Sequence, residues 1–167
     1  MLERFYPDHE RDSAYEVEYE ELYAKGYRGI IFDIDNTLVP HGAGADRRAV
    51  ALFERLHGMG FQTMLLSNNK EPRVKSFNED VRSQYIFKAG KPGRAGYEAA
   101  MERMGTDREN TLFVGDQLFT DVWGAKRVGI VTYLVKPIHP KEEIQIVLKR
   151  KLEKIVLYFY HRRKNPA

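Results

Sequence analysis

Residues 29–38 read GIIFDIDNTL, and this decapeptide joins a predicted strand to a pair of carboxylates. Its first four residues form a short apolar run, which is typical of a strand buried on both faces of a parallel sheet. Asp33 and Asp35 follow that run directly. Ligands of parallel α/β sheets bind at the carboxyl ends of the strands, so this order predicts that the two carboxylates take part in chemistry.

The rest of the chain repeats this alternation of short apolar runs and helical periodicity. Further strands are predicted at residues 63–66, 85–87, 111–114 and 130–134. Helices are predicted between the cap residue Asp46 and the glycines Gly58 and Gly60, and over residues 71–82, 94–104, 120–128 and 142–164. The alternation indicates an α/β fold whose five-stranded parallel sheet is covered by helices on both faces. We expect one domain over residues 1–167, with its core at about 25–136.

The composition restricts the class of protein. The chain of 167 residues is 43% hydrophobic and has a net charge of +3, which fits one ordinary globular domain. It contains no cysteine, so disulfides and thiolate metal sites are excluded. Residues 1–10 lack the apolar run of a signal peptide, and the longest apolar stretch, 155–160, is too short to span a bilayer. We therefore expect a cytoplasmic protein.

Polar side chains follow four of the predicted strands at the point where each strand ends. They are Asp33 and Asp35 after the first strand, Ser67, Asn68 and Asn69 after the second, Lys91 after the third, and Asp116 and Asp121 after the fourth. Each group alone could belong to an ordinary turn or loop. Because the carboxyl ends of parallel strands meet at one edge of a sheet, we expect these residues to form a single cluster.

The charges of this cluster indicate phosphoryl transfer with a metal ion. Asp33, Asp35 and Asp116 cannot all be ionised side by side without a cation, and Mg²⁺ is the usual divalent ion with oxygen ligands. A carboxylate can then attack phosphorus, because the metal neutralises charge on the phosphoryl oxygens. Lys91 supplies a second positive charge, and Ser67 can donate to a phosphoryl oxygen. Asp35 can protonate the leaving oxygen and later activate water.

The ordered motifs resemble those of the haloacid dehalogenase (HAD) superfamily. Residues 33–38 resemble its motif one, D-x-D-x-T/V, while Ser67 and Lys91 resemble motifs two and three, and residues 115–121, GDQLFTD, resemble motif four. A closer resemblance is to the YqeG family, which comprises subclass IIIA phosphatases similar to the phosphatidylglycerophosphate phosphatases of mitochondria and plastids. It is carried by residues 25–29, 67–74, 91–92 and 115–122. The resemblance covers nearly the whole chain and implies a HAD-like Rossmannoid three-layer sandwich.

The resemblance also implies a role for each residue of the cluster. Asp33 would be the nucleophile, and Asp35 would be the general acid/base, with Thr37 orienting it. The substrate-binding residues would be Thr37, Ser67, Asn68 and Lys91, and the metal ligands would be Asp33, Asp35, Asp116 and Asp121. Asp35 would bind Mg²⁺ through its backbone carbonyl, and Asp121 would lie beside the ion or bind it through water.

Short connections leave no room for a large cap domain over the site. Only residues 39–45 separate motif one from the next predicted helix, and about two dozen residues, already assigned to a helix and a strand, separate motifs two and three. An open site suits a large substrate, and the resemblance implies a lipid phosphate such as phosphatidylglycerophosphate. Two alternatives stay open: a soluble phosphatase of nucleotide or sugar phosphates, and a binding or regulatory module with weak catalysis.

The predicted C-terminal helix, at about residues 141–164, is both basic and amphipathic. Its apolar stripe consists of Ile144, Leu148, Leu152, Ile155, Val156 and Phe159. The stripe could pack on the sheet or on a second subunit, or it could dock on anionic lipid at the inner face of the membrane, which would make the protein peripheral. We expect no nucleic acid as a partner, because the sequence contains no recognised nucleic-acid module.

Overall fold

The structure is a computed structural model that describes residues 1–139 and 144–165. The predicted beginning of the last helix, at residues 141–143, lies outside the described residues, and so does Pro140. Across both described ranges, no helix combines the length and the apolar content needed to cross a bilayer.

A parallel sheet of six strands forms the centre of the molecule. The strands are β1 (His9–Arg11), β2 (Gly29–Phe32), β3 (Gln62–Leu66), β4 (Gln84–Ile86), β5 (Thr111–Gly115) and β6 (Val131–Val135), in the spatial order β1-β6-β5-β2-β3-β4. The five predicted strands are confirmed, and no bound differs from its prediction by more than one residue.

The predicted number of strands was wrong by one, because β1 was not recognised. Its three residues are polar or charged and half-buried, so they carry no apolar pattern. A side chain just before the strand supplies its anchor: the Asp8 carboxylate accepts hydrogen bonds from the backbone N and the hydroxyl of Thr132, both at 2.9 Å. The acidic segment 8–21 is therefore ordered, and it adds an edge strand to β6.

Helices cover both faces of the sheet. They are α1 (Tyr19–Ala24), α2 (Arg47–Met59), α3 (Glu71–Val81), α4 (Arg94–Met104), α5 (Trp123–Arg127) and α6 (Ile144–Lys164). Short 3₁₀ helices lie at Leu2–Phe5 and Ala14–Glu16. The predicted helix at 120–128 divides into a π-helical turn, Leu118–Val122, and α5. As predicted, Asp46 caps α2, and its Oδ1 accepts a hydrogen bond from the Ala49 backbone N at 2.8 Å.

Alternate residues of each strand pack into different layers. Ile30 and Phe32 of β2 face a core built with α1, α2 and α3, whereas Ile31 faces a second core built with α4 and α5. This arrangement is the predicted three-layer sandwich. The first core also includes Ala14 and Tyr19, so buried apolar residues begin before the predicted core boundary near residue 25.

The apolar stripe predicted for α6 divides between two faces of the helix. Val156 is buried against Leu118, Val122 and Leu134, which fixes the helix beside the π-helical turn. The remaining stripe residues whose side chains are described, Leu148, Leu152, Ile155 and Phe159, are 46–59% exposed. One face of α6 therefore packs on the domain, and the opposite face keeps its apolar side chains in solvent.

Candidate active site

The carboxyl ends of β2, β3 and β5 and the loop after β4 surround one cavity. Its volume is about 210 Å³. Its lining consists of Asp33, Asp35, His41, Ser67, Asn68, Asn69, Lys91, Gln117, Thr120, Ile146 and Lys149. Six residues of the sequence-predicted cluster line this cavity, and Ile146 and Lys149 add the first turns of α6 to its wall. Asp116 and Asp121 do not line it but lie beside Asp33, with Asp121 also joined to Lys91.

Lys91 bridges two of the predicted carboxylates. Its Nζ donates to Asp33 Oδ1 at 2.8 Å and to Asp121 Oδ1 at 2.7 Å, and its side chain is only 3% exposed. Burial acts to lower the pKa of Lys91, but the charges of Asp121 and Asp33 outweigh it and raise the pKa above its usual value. A permanently charged ammonium therefore lies inside the site.

Asp33, Asp116 and Asp121 form a buried group of carboxylates that could hold a metal ion. Each can offer one oxygen, and these oxygens all lie within 4.8 Å of one another. Burial raises the pKa of Asp33 to about 6, since the opposing charge of Lys91 only partly offsets it. Burial, together with Asp33 and Asp121, also raises the pKa of Asp116 well above its usual range. The three carboxylate oxygens lie close enough together to bind one ion, and oxygen donors of this kind fit a hard divalent cation.

Thr37 contacts this group. Its hydroxyl donates to Asp116 Oδ1 at 3.0 Å and lies 3.4 Å from Asp33 Oδ2. The resemblance assigned Thr37 to the orientation of Asp35, but the observed hydrogen bonds orient the carboxylates of the metal group. The Thr37 hydroxyl therefore lies next to one carboxylate oxygen of each of two predicted metal ligands, Asp33 and Asp116.

The Asp35 carboxylate lies outside the buried group and is held by its own set of donors. Asn69 Nδ2 lies 2.7 Å from Oδ2, and the Gly42 backbone N and Arg73 NH2 lie 2.7 Å and 3.0 Å from Oδ1. Sequence reasoning missed this use of Arg73, although the residue falls within the segment 67–74 that carries the family resemblance. The separation of Asp35 from the group leaves its carboxylate at the wall of the cavity.

Ser67 and Asn68 hold the loops of the site. The Ser67 hydroxyl accepts from the Asn69 backbone N at 3.1 Å. The Asn68 side chain is paired with the backbone of Lys91, where Oδ1 accepts from N at 2.8 Å and Nδ2 donates to O at 3.0 Å. Asn68 thereby fixes the position of Lys91, and its predicted contact with substrate stays a prediction.

Two residues of α6 complete the surroundings of Asp116, and sequence reasoning had assigned neither to the site. Arg150 forms an ion pair with Asp116 Oδ2 and also donates to the Asp116 carbonyl oxygen. Glu153 Oε2 accepts from Arg150 at 3.0 Å, and its Oε1 accepts from the Leu118 backbone N at 2.9 Å. The sequence contained one indication that Glu153 has a special place in this helix, since it is the sole acidic residue between positions 144 and 164.

Comparisons with known proteins relate the chain to HAD-type phosphatases. Residues 88–143 match the family described as HAD-hydrolase-like. The chain is 35% identical over 159 residues to "Probable phosphatase YqeG" of Bacillus subtilis, covering 94% of this chain and 92% of that protein. It is 26% identical over 152 residues to "Phosphatidylglycerophosphate phosphatase 1, chloroplastic/mitochondrial" of Arabidopsis thaliana, covering 84% of this chain but 44% of that protein.

A solved structure shares the fold. The cobalt-bound deoxy-D-mannose-octulosonate 8-phosphate phosphatase of Haemophilus influenzae superimposes with a TM-score of 0.55 at 14% identity. The superposition covers 80% of this chain and 89% of the other. At this identity the likeness concerns the fold alone.

Proposed function

The chain belongs to the YqeG family of HAD-type phosphatases, and from this we propose that it is a Mg²⁺-dependent phosphomonoesterase that hydrolyses a lipid phosphate through an aspartyl-phosphate intermediate. One observation carries the catalytic part of the proposal. The buried ammonium of Lys91 contacts Asp33 and Asp121, within a group of three carboxylates whose oxygens lie within 4.8 Å.

Asp33 is the proposed nucleophile. Its carboxylate attacks phosphorus, the bond from phosphorus to the leaving oxygen breaks, and Asp35 gives that oxygen a proton. Asp35, now ionised, takes a proton from water as the water oxygen attacks the aspartyl phosphate. Inorganic phosphate leaves, and the Asp33 carboxylate is restored. Contacts with Arg73 and Asn69 fix the Asp35 carboxylate at the cavity wall, which supports its proposed role in proton transfer.

The metal ligands would be the carboxylates of Asp33 and Asp116 and the backbone carbonyl of Asp35, with Asp121 close by. When bound, Mg²⁺ supplies positive charge that neutralises the phosphoryl oxygens and the carboxylates around them. Lys91 and Ser67 would contact the remaining phosphoryl oxygens, so positioning and charge stabilisation supply most of the rate enhancement.

A lipid phosphate is the proposed substrate class because two features favour a large ester. The 26% identical plant relative is named for a phosphatidylglycerophosphate phosphatase activity. In addition, no cap domain covers the cavity within residues 1–139 and 144–165, and the segment between Asp35 and α2 is short. An uncapped site admits a phosphate that projects from a surface.

The exposed face of α6 is the proposed contact with that surface. Its apolar side chains are Val147, Leu148, Leu152, Ile155, Tyr158 and Phe159, which are 41–59% exposed. Seven of the 21 residues of α6 are Lys or Arg, whereas its one acidic residue, Glu153, is buried in the domain. A helix with an apolar face and only positive exposed charge complements an anionic bilayer. This contact would make the protein peripheral at the cytoplasmic face of the membrane.

The variant Asp33→Asn tests the catalytic step. It replaces the nucleophilic oxygen by an isosteric amide, so we expect no detectable turnover and an unchanged circular dichroism spectrum. Mass spectrometry of the rapidly quenched wild-type enzyme should find a phosphoryl group on the peptide that contains Asp33. The matched control is Asp80→Asn, at an exposed position of α3, and this variant should retain full activity. Normal hydrolysis by Asp33→Asn would refute the mechanism.

A substrate panel tests the lipid assignment. With Mg²⁺ present, kcat/KM should be highest for phosphatidylglycerophosphate in vesicles that contain anionic lipid, and lower for soluble nucleotide and sugar phosphates. Flotation with such vesicles should depend on the exposed face of α6, so Leu152→Gln together with Ile155→Gln should reduce binding. A preference for soluble esters and no flotation would assign the chain to the soluble phosphatases.

A further inference from the structure

One arginine of α6, Arg150, contacts a carboxylate of the proposed catalytic centre. The Arg150 side chain is 15% exposed, although it belongs to a basic helix, and it lies against Asp116, whose side chain is fully buried. Its guanidinium contacts both the carboxylate Oδ2 and the backbone carbonyl of Asp116. Two contacts to one residue from a planar, rigid fork restrict the rotation of the Asp116 side chain.

The two oxygens of the Asp116 carboxylate have different partners. Oδ2 faces Arg150, whereas Oδ1 accepts the Thr37 hydroxyl at 3.0 Å. The same hydroxyl lies 3.4 Å from Asp33 Oδ2, so Asp116 Oδ1 is the oxygen on the side of the predicted nucleophile. Arg150 thus occupies the oxygen that faces α6 and leaves the oxygen that faces Asp33 able to bind an ion.

Glu153 fixes Arg150 in turn. It lies three residues further along α6, and its side chain is 5% exposed. It accepts from Arg150 at 3.0 Å and from the Leu118 backbone N at 2.9 Å. The segment that carries Asp116 and Leu118 is therefore joined to α6 at two residues, and the buried Glu153 has a partner for each carboxylate oxygen.

We propose that Arg150 is a positioning residue that holds Asp116 in the orientation in which it binds the metal ion, and that Glu153 orients Arg150. This inference rests on the metal-dependent phosphatase chemistry proposed above, and it adds α6 to the structures that determine metal affinity. Partners that orient a ligating carboxylate typically contribute about 10- to 100-fold to metal affinity. The fork geometry distinguishes Arg from Lys, whose ammonium is a compact point charge without a planar, fixed array of donors.

The test is a calorimetric titration of Mg²⁺ into the full-length, metal-free protein. Arg150→Gln should weaken Mg²⁺ binding by about 10- to 100-fold. Arg150→Lys keeps the charge but loses the fork, so it should fall between the wild type and Arg150→Gln. The control, Arg108→Gln, removes an exposed arginine that is paired with the adjacent Glu109, and it should titrate like the wild type.

Two further readouts separate positioning from structural damage. At saturating Mg²⁺, the kcat of Arg150→Gln should return to within a few-fold of the wild-type value, because excess metal restores occupancy of the site. Hydrogen exchange at the Leu118 amide should slow when Mg²⁺ binds to the wild type but not to Arg150→Gln, since coupling between metal and α6 is reciprocal. Circular dichroism establishes that each variant is folded, and Arg150→Lys provides the comparison if Arg150→Gln does not fold.

The outcomes are distinct. If the wild type binds Mg²⁺ and Arg150→Gln binds it equally or more tightly, Arg150 does not position Asp116, and only this inference is overturned. If kcat stays low at saturating Mg²⁺, Arg150 acts on the reacting groups themselves, and the positioning role is again overturned. If the wild type binds no Mg²⁺, the metal-dependent function and this inference both fail.

Discussion

Replacing Lys91 by Met in the metal-free protein should lower its free energy of unfolding by about 3–5 kcal/mol. Met keeps an unbranched side chain as far as Cε and lacks the ammonium group, so the variant removes the charge and its two hydrogen bonds while it keeps most of the apolar bulk. At the observed distances of 2.8 Å and 2.7 Å, each contact with Asp33 and Asp121 is worth about 6 kcal/mol of attraction at an effective dielectric constant of about 20. Dehydration of the three groups offsets much of that attraction in the wild type. The variant keeps the dehydration of both carboxylates and loses the attraction, so a large net loss follows.

The loss of unfolding free energy caused by Lys91→Met should also depend on pH. Burial already raises the pKa of Asp33 to about 6, and Lys91 is the main group that opposes the rise. Without Lys91, the pKa of Asp33 rises further above that of the unfolded chain, and the folded state then binds more protons than the unfolded state. Stability therefore falls as pH rises through this window. The loss caused by Lys91→Met should be larger at about pH 8 than at about pH 5.

Urea unfolding followed by circular dichroism, with a chelator present, measures both effects. The control is Lys136→Met, which removes an exposed ion pair with Asp12 and should leave the midpoint unchanged. If Lys91→Met loses no more stability than this control, or loses the same amount at both pH values, Lys91 is not the counter-charge of the buried carboxylates.

Two further predictions concern residues outside the site. Burial lowers the pKa of His57, whose Nε2 lies 2.8 Å from Thr63 Oγ1, so the unfolded chain takes up a proton that the folded chain resists. His57 should therefore contribute a loss of stability as pH drops below about 6.5, and thermal unfolding curves compared across the range should show a smaller loss for His57→Gln than for the wild type. A Cβ at Gly124 would collide with the Tyr97 ring, whereas a Cβ at Gly58, inside α2, meets open space. Gly124→Ala should therefore destabilise the protein by about 1–3 kcal/mol, whereas Gly58→Ala should stabilise it by about 0.5–1 kcal/mol. Thermal unfolding of both variants measures these effects, and equal shifts in the two melting temperatures would contradict the packing argument.

Most of the site could be predicted because its residues follow buried strands directly. The run before Asp33 is apolar at every position, and a buried strand delivers the next side chain to a known edge of the sheet. The same reasoning located Ser67 and Asp116. Lys91 lies five residues beyond the end of β4, and it too was predicted from its place after a strand; the structure adds that the Asn68 amide holds its backbone.

The parts that could not be predicted depend on long-range packing of polar residues. β1 is anchored by hydrogen bonds that the Asp8 carboxylate accepts from Thr132, and such contacts leave no periodic signal in the sequence. α6 has apolar residues on two faces, so periodicity alone does not determine which face packs on the domain. The face of α6 that packs on the domain decides whether Arg150 faces solvent or Asp116. The structure identifies that face, because Val156 is buried beside Leu118.

The pairing of β1 with β6 has a consequence for synthesis on the ribosome. His9 pairs with Tyr133, so the first strand to be translated has no neighbour until the last strand has emerged. The two residues are 124 positions apart, so at about 5–20 residues per second the chain takes roughly 6 to 25 s to grow from one to the other. During that interval the nascent N-terminus is accessible to chaperones and proteases, and the edge of β6 stays uncovered until β1 returns to it. A tag or fusion that restrains the β1 segment would therefore interfere with the pairing of β1 with β6, after most of the sheet has formed.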